Sequence, residues 1–590
     1  MTSTSPHSLA ASMSTPGSLH TPKDDSPSTR AYTTGVSSPA EDEIPDPKYR
    51  PAVPPVDGLR NHCQIHLEEE LYQPAIHLLD NLLTDGISIA PRSKLSPARV
   101  APPSQLALLA TLTIHPLFTS RPTEDTFPHI AARATTYLRG VLALTGPVNA
   151  CLNQAFDFRQ RGSGHRRVSY DLEGSASSRR YGSPMGRRSN TPSASESELE
   201  GRFANEHSIW RRAPDFWATL GWAFRCAAAH PHRWRHWKVW LDYMIEVLEL
   251  DWDERLEKDN ENDDKNYPML KDSLFATYLD DLRRDRKKPE KETLRALMAF
   301  TDDDQSDDNV YREIFDRELA TSPGKNKRKR ASTIVDLDKN QFGDYMNSDS
   351  DSDSPSPSPT PLSSQPKRRR GGRAPASSSP PTSPQPASRL PPGTIETIPL
   401  RLRLFRLLSA ASFYLPTHLG ADTPTLYTLF SRRLATLPPP TLRLVTSSLA
   451  ASLPSFAQFS LLRALADNLL PPQRPRPSDV DAATDAVDGL SWRLLERCFL
   501  PFAAARVTAE DNARVSVVLE SMVWLVFANG EDDGGGAEGV KEAVERGITA
   551  REAKVAGRRR GAAREDAAAR EVLERSAGSL RVFVGVVGCV

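Results

Sequence analysis

The sequence predicts an all-α protein: an irregular helical-repeat body of the HEAT or tetratricopeptide kind, carrying long disordered insertions. Three observations lead there. Apolar residues recur at steps of three and four through several long stretches. Short proline- or glycine-bearing turns join these stretches, as in antiparallel helix hairpins. Ser/Pro-rich runs poor in large apolar groups separate them, and such runs bury too little surface to offset the entropy of ordering.

The 590 residues include 50 Pro and 31 Gly, and 38% are hydrophobic. Lys+Arg and Asp+Glu are 75 each, so the formal net charge is +0. This balance excludes a uniformly basic nucleic-acid coat and a uniformly acidic tail. Five Cys, none in CxxC spacing, exclude a disulfide scaffold and a zinc knuckle. There is no run of apolar residues long enough for a membrane span. The N-terminus lacks both the apolar core of a signal peptide and the pattern of a transit peptide.

Residues 1–55 are Ser/Thr/Pro-rich and are expected to be a disordered tail. Residues 56–156 form the first helical block. Leu67, Leu71, Ala75, Leu78, Leu79 and Leu82 fall at helical spacing, and Asp85-Gly86 supplies a stop. Residues 157–203 read as a disordered Arg/Ser insertion. Residues 204–300 form a Trp-rich second block, in which Trp237, Trp240, Met244 and Val247 mark one helical face. Pro214-Asp215 suits a helix start there, and the HPHR run at 230–233 suits a turn. Residues 301–395 are expected to be a disordered linker with basic clusters and an acidic Ser tract. Residues 396–530 form the third block, with stops at residues 438–440 and 471–472 where prolines cluster. Thr508 and Asp511 have the spacing of a capping box. Residues 531–590 read as a low-complexity tail, helical or disordered.

The linker carries most of the functional signals. Lys325, Lys327, Arg328, Lys329 and Arg330 form one basic cluster, and Lys367, Arg368, Arg369 and Arg370 a second. An extended basic chain fits the acidic groove of an import receptor, so nuclear localisation is expected. Between the clusters stand Ile334, Val335, Leu337 and Asp338. This tetrad resembles a SUMO-interacting motif. The resemblance implies strand addition: a β-prone segment pairs with a sheet edge, and neighbouring acids meet basic residues. Phosphorylation is expected at Ser169, which follows two arginines, and at Ser183, Ser322, Ser354, Ser356 and Ser358, which precede proline.

The Trp-rich block has two readings. Interleaved Arg211, Arg212, Arg225, Arg233, Arg235 and Lys238 would suit a stacking platform for single-stranded nucleic acid. Helical spacing of the aromatics favours a packed core, with the arginines left to meet acidic partners. His62, Cys63 and His66 lack a third ligand, and the acidic run from Asp259 lacks the glycine and glutamate of a calcium loop. No nucleotide-binding or hydrolase motif is present, and no cofactor is called for. The expected function is that of a nuclear, noncatalytic scaffold or adaptor in a multiprotein complex. A chromosome-maintenance or DNA-repair assembly is its expected setting. The alternative is a nucleic-acid-binding, transcription or ribosome-assembly factor that uses basic faces.

Overall fold

The computed structural model describes residues 48–86, 96–158, 199–263, 265–285, 288–298, 311–316, 318–319, 392–529, 537–556 and 565–587. All fall within one unit, Lys48–Val590, and they are mostly helical. The two strands among them, β1 (Ala52–Val53) and β2 (Ala98–Arg99), pair in parallel over two residues each.

In the first stretch α1 (Asp57–Glu68) and α2 (Tyr72–Thr84) form a hairpin. The expected stop follows α2, where Gly86 takes a left-handed φ of 78°. Leu71, expected on the apolar stripe, lies just before α2 and is exposed. Arg50 ties off the end of α2: it is buried and donates to the carbonyls of Leu83 (3.2 Å), Asp85 (3.0 Å) and Ser96 (2.6 Å). Next come α3 (Pro103–Leu112) and α4 (Phe127–Asn149), which pack on each other. α4 is kinked at Gly146, where φ is 73° and a Cβ would lie 2.6 Å from the Tyr49 ring.

The second stretch holds α5 (Phe216–Ala229) and the 31-residue α6 (Pro231–Glu261). Asp215 caps α5 by accepting from the Ala218 N–H at 2.7 Å, and α6 restarts at the expected turn. α7 (Leu274–Asp285) and α8 (Pro289–Met298) follow. The third stretch contains α9 (Pro392–Tyr414), α10 (Thr423–Leu434), α11 (Pro439–Ser448), α12 (Ser455–Leu469) and α13 (Ala509–Asn529). Prolines punctuate it as expected, and Pro439 also opens α11 at the position where its missing N–H costs nothing. At the start of α13 the Asp511 N–H donates to Thr508 Oγ at 3.0 Å, and that hydroxyl donates back to Asp511 Oδ2 at 2.5 Å. Beyond lie α14 (Ala537–Ala556) and α15 (Glu565–Val587).

One apolar core runs through all of these stretches. α9 lies across both α5 and α6, and α13 packs against α11, α12 and α15.

Four segments differ from the sequence expectation. Residues 48–55, placed in the N-terminal tail, include buried Arg50 and strand β1. Phe158, Leu199 and Phe203, placed in the Arg/Ser insertion, are core residues. Tyr311, Ile314, Phe315 and Glu318, placed in the linker, are buried as well. In the C-terminal tail, Val540, Val544, Ile548, Val572, Leu573, Leu580 and Val584 are buried at helical spacing. Each segment is too short or too dilute in apolar residues to declare itself. The residues named are nevertheless buried because the body offers a matching apolar surface.

Candidate docking cleft

α11, α12, α13 and α15 converge on a surface cleft of about 160 Å³. Its walls come from the helical register. Arg443 and Ser447 project from α11 and Ala450 from the turn after it, Leu462 from α12, Val517, Glu520, Ser521 and Trp524 from α13, and Phe583 from α15. On α13 the steps from Val517 to Glu520, Ser521 and Trp524 hold all four on one face.

The cleft is aromatic at one end and ionic at the other. Trp524 is 48% exposed, and its ring lies 5.5 Å from Phe583 and 6.1 Å from Phe527, centroid to centroid. At the other end Arg443 Nη2 donates to Glu520 Oε1 at 2.8 Å and lies 3.5 Å from Ser579 Oγ. Arg443 Nη1 and Glu520 Oε2 are buried and have no hydrogen-bond partner among the described residues. Tryptophan and arginine, which both line this cleft, are enriched among the residues that dominate binding energy at protein interfaces. Nothing in the local sequence drew attention to these residues. The usable signal was Glu520 inside the otherwise apolar run VVLESMVWLVFA, where a buried helix would be expected to lack it.

No family model matches this chain, and neither the curated proteins nor the solved structures contain a significant match.

The residues singled out for import (Lys325, Lys327, Arg328, Lys329, Arg330, Lys367, Arg368, Arg369, Arg370) lie outside the described residues. So do the SUMO tetrad (Ile334, Val335, Leu337, Asp338) and the phosphorylation serines (Ser169, Ser183, Ser322, Ser354, Ser356, Ser358).

The Trp-rich block is core. Its seven tryptophans from Trp210 to Trp252 are each at most 3% exposed, which removes the stacking platform. Three of its six cations are held by carboxylates. Lys238 pairs with Glu396 at 3.0 Å and Arg212 with Asp316 at 3.0 Å. Arg233, read from sequence as a surface cation, has no exposed side-chain area. It is paired with Glu318, it donates to Thr119 Oγ1 at 2.6 Å, and it donates to the Ile114 carbonyl. The indoles of Trp237 (2.7 Å) and Trp222 (3.2 Å) complete the shell of Glu318.

His62 and His66 face each other on α1 with 2.7 Å between Nε2 atoms, while Cys63 turns inward, its thiol pushed up to about 11 by burial. Asp259 is buried and accepts from the N–H groups of Met269 (3.0 Å) and Leu270 (2.8 Å), so it caps a helical turn. Among the described residues no group of three or more His, Cys, Asp or Glu is placed to hold a metal ion. No described helix is long and apolar enough to cross a membrane.

Proposed function

We propose that this chain is a nuclear, noncatalytic adaptor. In this reading the helical body, an irregular repeat in the HEAT or tetratricopeptide manner, holds protein partners. The stretches of sequence between the helical blocks carry the import clusters, the phosphorylation serines and a SUMO-docking tetrad. The observation that supports binding above all is the half-exposed Trp524 at the mouth of a four-helix cleft. The buried ionic groups argue the same way, because Arg233, Glu318, Asp251 and Arg255 are consumed in internal pairs. The setting proposed is a chromosome-maintenance or DNA-repair assembly, on the strength of the nuclear address together with SUMO docking.

The test is affinity purification of the full chain from nuclear extract, with partner stoichiometry measured by mass spectrometry. A partner at near-equal molar amount is expected, and recovery of the chain alone would sink the adaptor reading. For the tetrad, a peptide spanning 330–356 should bind SUMO, and the triple change Ile334→Ala, Val335→Ala and Leu337→Ala should abolish binding. Equal binding by the triple variant removes that part.

A further inference from the structure

We infer that the cleft between α11, α12, α13 and α15 is the seat of one kind of partner. That partner is a peptide that inserts a single large apolar side chain beside an uncharged amide. This deepens the adaptor reading and rests on it.

Size, charge and unfilled hydrogen-bond valence select this occupant. The volume, about 160 Å³, matches one branched aliphatic or aromatic side chain. A cavity of roughly that size holds a benzene ring in other proteins. Leu462, Val517, Trp524 and Phe583 give such a side chain apolar contact.

The charge at the closed end cancels. Arg443 and Glu520 form an ion pair whose side chains are 27% and 15% exposed. A carboxylate or phosphate brought there would meet Glu520, and an ammonium would meet Arg443. Either would also lose hydration, so a charged group is disfavoured whatever its sign.

The ion pair leaves one donor, Arg443 Nη1, and one acceptor, Glu520 Oε2, buried without partners among the described residues. Orphaned groups of this kind carry a desolvation cost that the right ligand relieves. A donor beside an acceptor is complementary to an amide, which offers C=O and N–H side by side. Asn and Gln side chains qualify, as does an exposed backbone amide. Both orphan atoms are buried, so the amide reaches them by displacing a neighbouring side chain of the cleft lining.

The test selects a phage-displayed library of random peptides on the immobilised full chain. Affinities of the winners are then measured against three proteins: wild type, Trp524→Ala, and Ala450→Trp. Position 450 is exposed on the cleft wall, so a tryptophan there fills the seat from outside and leaves the core alone. Thermal melting of each variant confirms that it is folded.

Winning peptides should carry Leu, Phe or Trp next to Asn or Gln, without an adjacent charge. Both variants should weaken them at least tenfold. The proposal is overturned if no peptide is selected, if charged residues flank the anchor, or if both variants bind as wild type does. In the last case the chain still binds peptides elsewhere, so the seat fails while the adaptor reading stands. Absence of any stoichiometric partner from nuclear extract would remove the adaptor reading itself.

Discussion

At Glu318 a carboxylate with no exposed surface accepts from two indoles and pairs with a guanidinium that is itself fully buried. Neither charge can return to water without opening the core. Removing one partner therefore leaves the other charge buried and uncompensated. We expect Glu318→Ala to lower the free energy of unfolding by about 3–5 kcal/mol, read from denaturant midpoints. Replacing Arg233 and Glu318 together with Met should recover part of the loss. A double variant as unstable as the sum of the singles would contradict this account. His115 supplies a pH dependence. It is 4% exposed, and burial, reinforced by His207 and Arg233, pushes its pKa down to about 3. Its Nδ1 accepts from the Leu117 N–H at 3.3 Å, which suits the neutral ring. Between pH 6.5 and about pH 3 the unfolded chain binds a proton there that the folded chain does not. Stability must then fall as pH falls through that window, by roughly 1 kcal/mol per pH unit. His115→Gln should flatten this slope in denaturation midpoints taken across the window, and an unchanged slope would exclude His115 as its source. At this scale the sequence was least legible. Arg233 lies in a run with Arg235 and Lys238 that looks like a solvated face. Only the arrival of Glu318, 85 residues away, turns it inward.

Helix boundaries were the most legible feature. Asp215, Asp85-Gly86 and the Thr508–Asp511 pair act where local chemistry predicts, because capping involves only near neighbours, whereas the turn expected over 230–233 narrows to His230, with Pro231 already opening α6. For the C-terminal tail, helix was one of two readings, but its burial in the body was not legible. Ala, Gly, Glu and Arg dilute their apolar stripe, and the composition reads as a solvated tail. In α14, Arg551 is fully buried and donates to the carbonyls of Leu500 (3.3 Å) and Phe502 (3.1 Å), while Lys554 Nζ reaches the Ala504 carbonyl at 2.5 Å. Burial holds the Arg551 pKa down to about 10. Gly547 lets the helix come this close, since a Cβ there would lie 1.9 Å from the Leu500 oxygen. Gly547→Ala should therefore destabilise the protein by about 1–3 kcal/mol, although alanine is the better helix former. A rise in melting temperature would show that α14 does not seat on the 500–504 loop.

Across the whole molecule, stretches far apart in sequence share one core. Arg403 of α9 binds Glu249 at 2.6 Å and Asp242 at 2.8 Å, both on α6, and Arg139 of α4 joins the same network through Asp242 at 2.8 Å. The Arg401 guanidinium lies 3.9 Å from the centre of the Phe224 ring on α5. These surface-edged ion pairs are screened by salt, whereas the apolar contacts beneath them are not. A protease site introduced between residues 320 and 391, once cut, should leave two fragments that co-elute in gel filtration even at high salt. Fragments that part at high salt would mean the charges carry the association.

The sequence by itself determined that the chain is mostly helical, where several helices begin or end, and that the tryptophans at 237 and 240 share a buried face. Those properties depend on periodicity and on neighbours a few residues apart. The tertiary structure alone decided that Glu318 closes the Trp-rich core, that the C-terminal helices belong to the body, and that Arg443, Glu520, Trp524 and Phe583 meet in one cleft. Those outcomes depend on which distant surfaces come together, and a side chain's pattern along its own helix does not say what will face it.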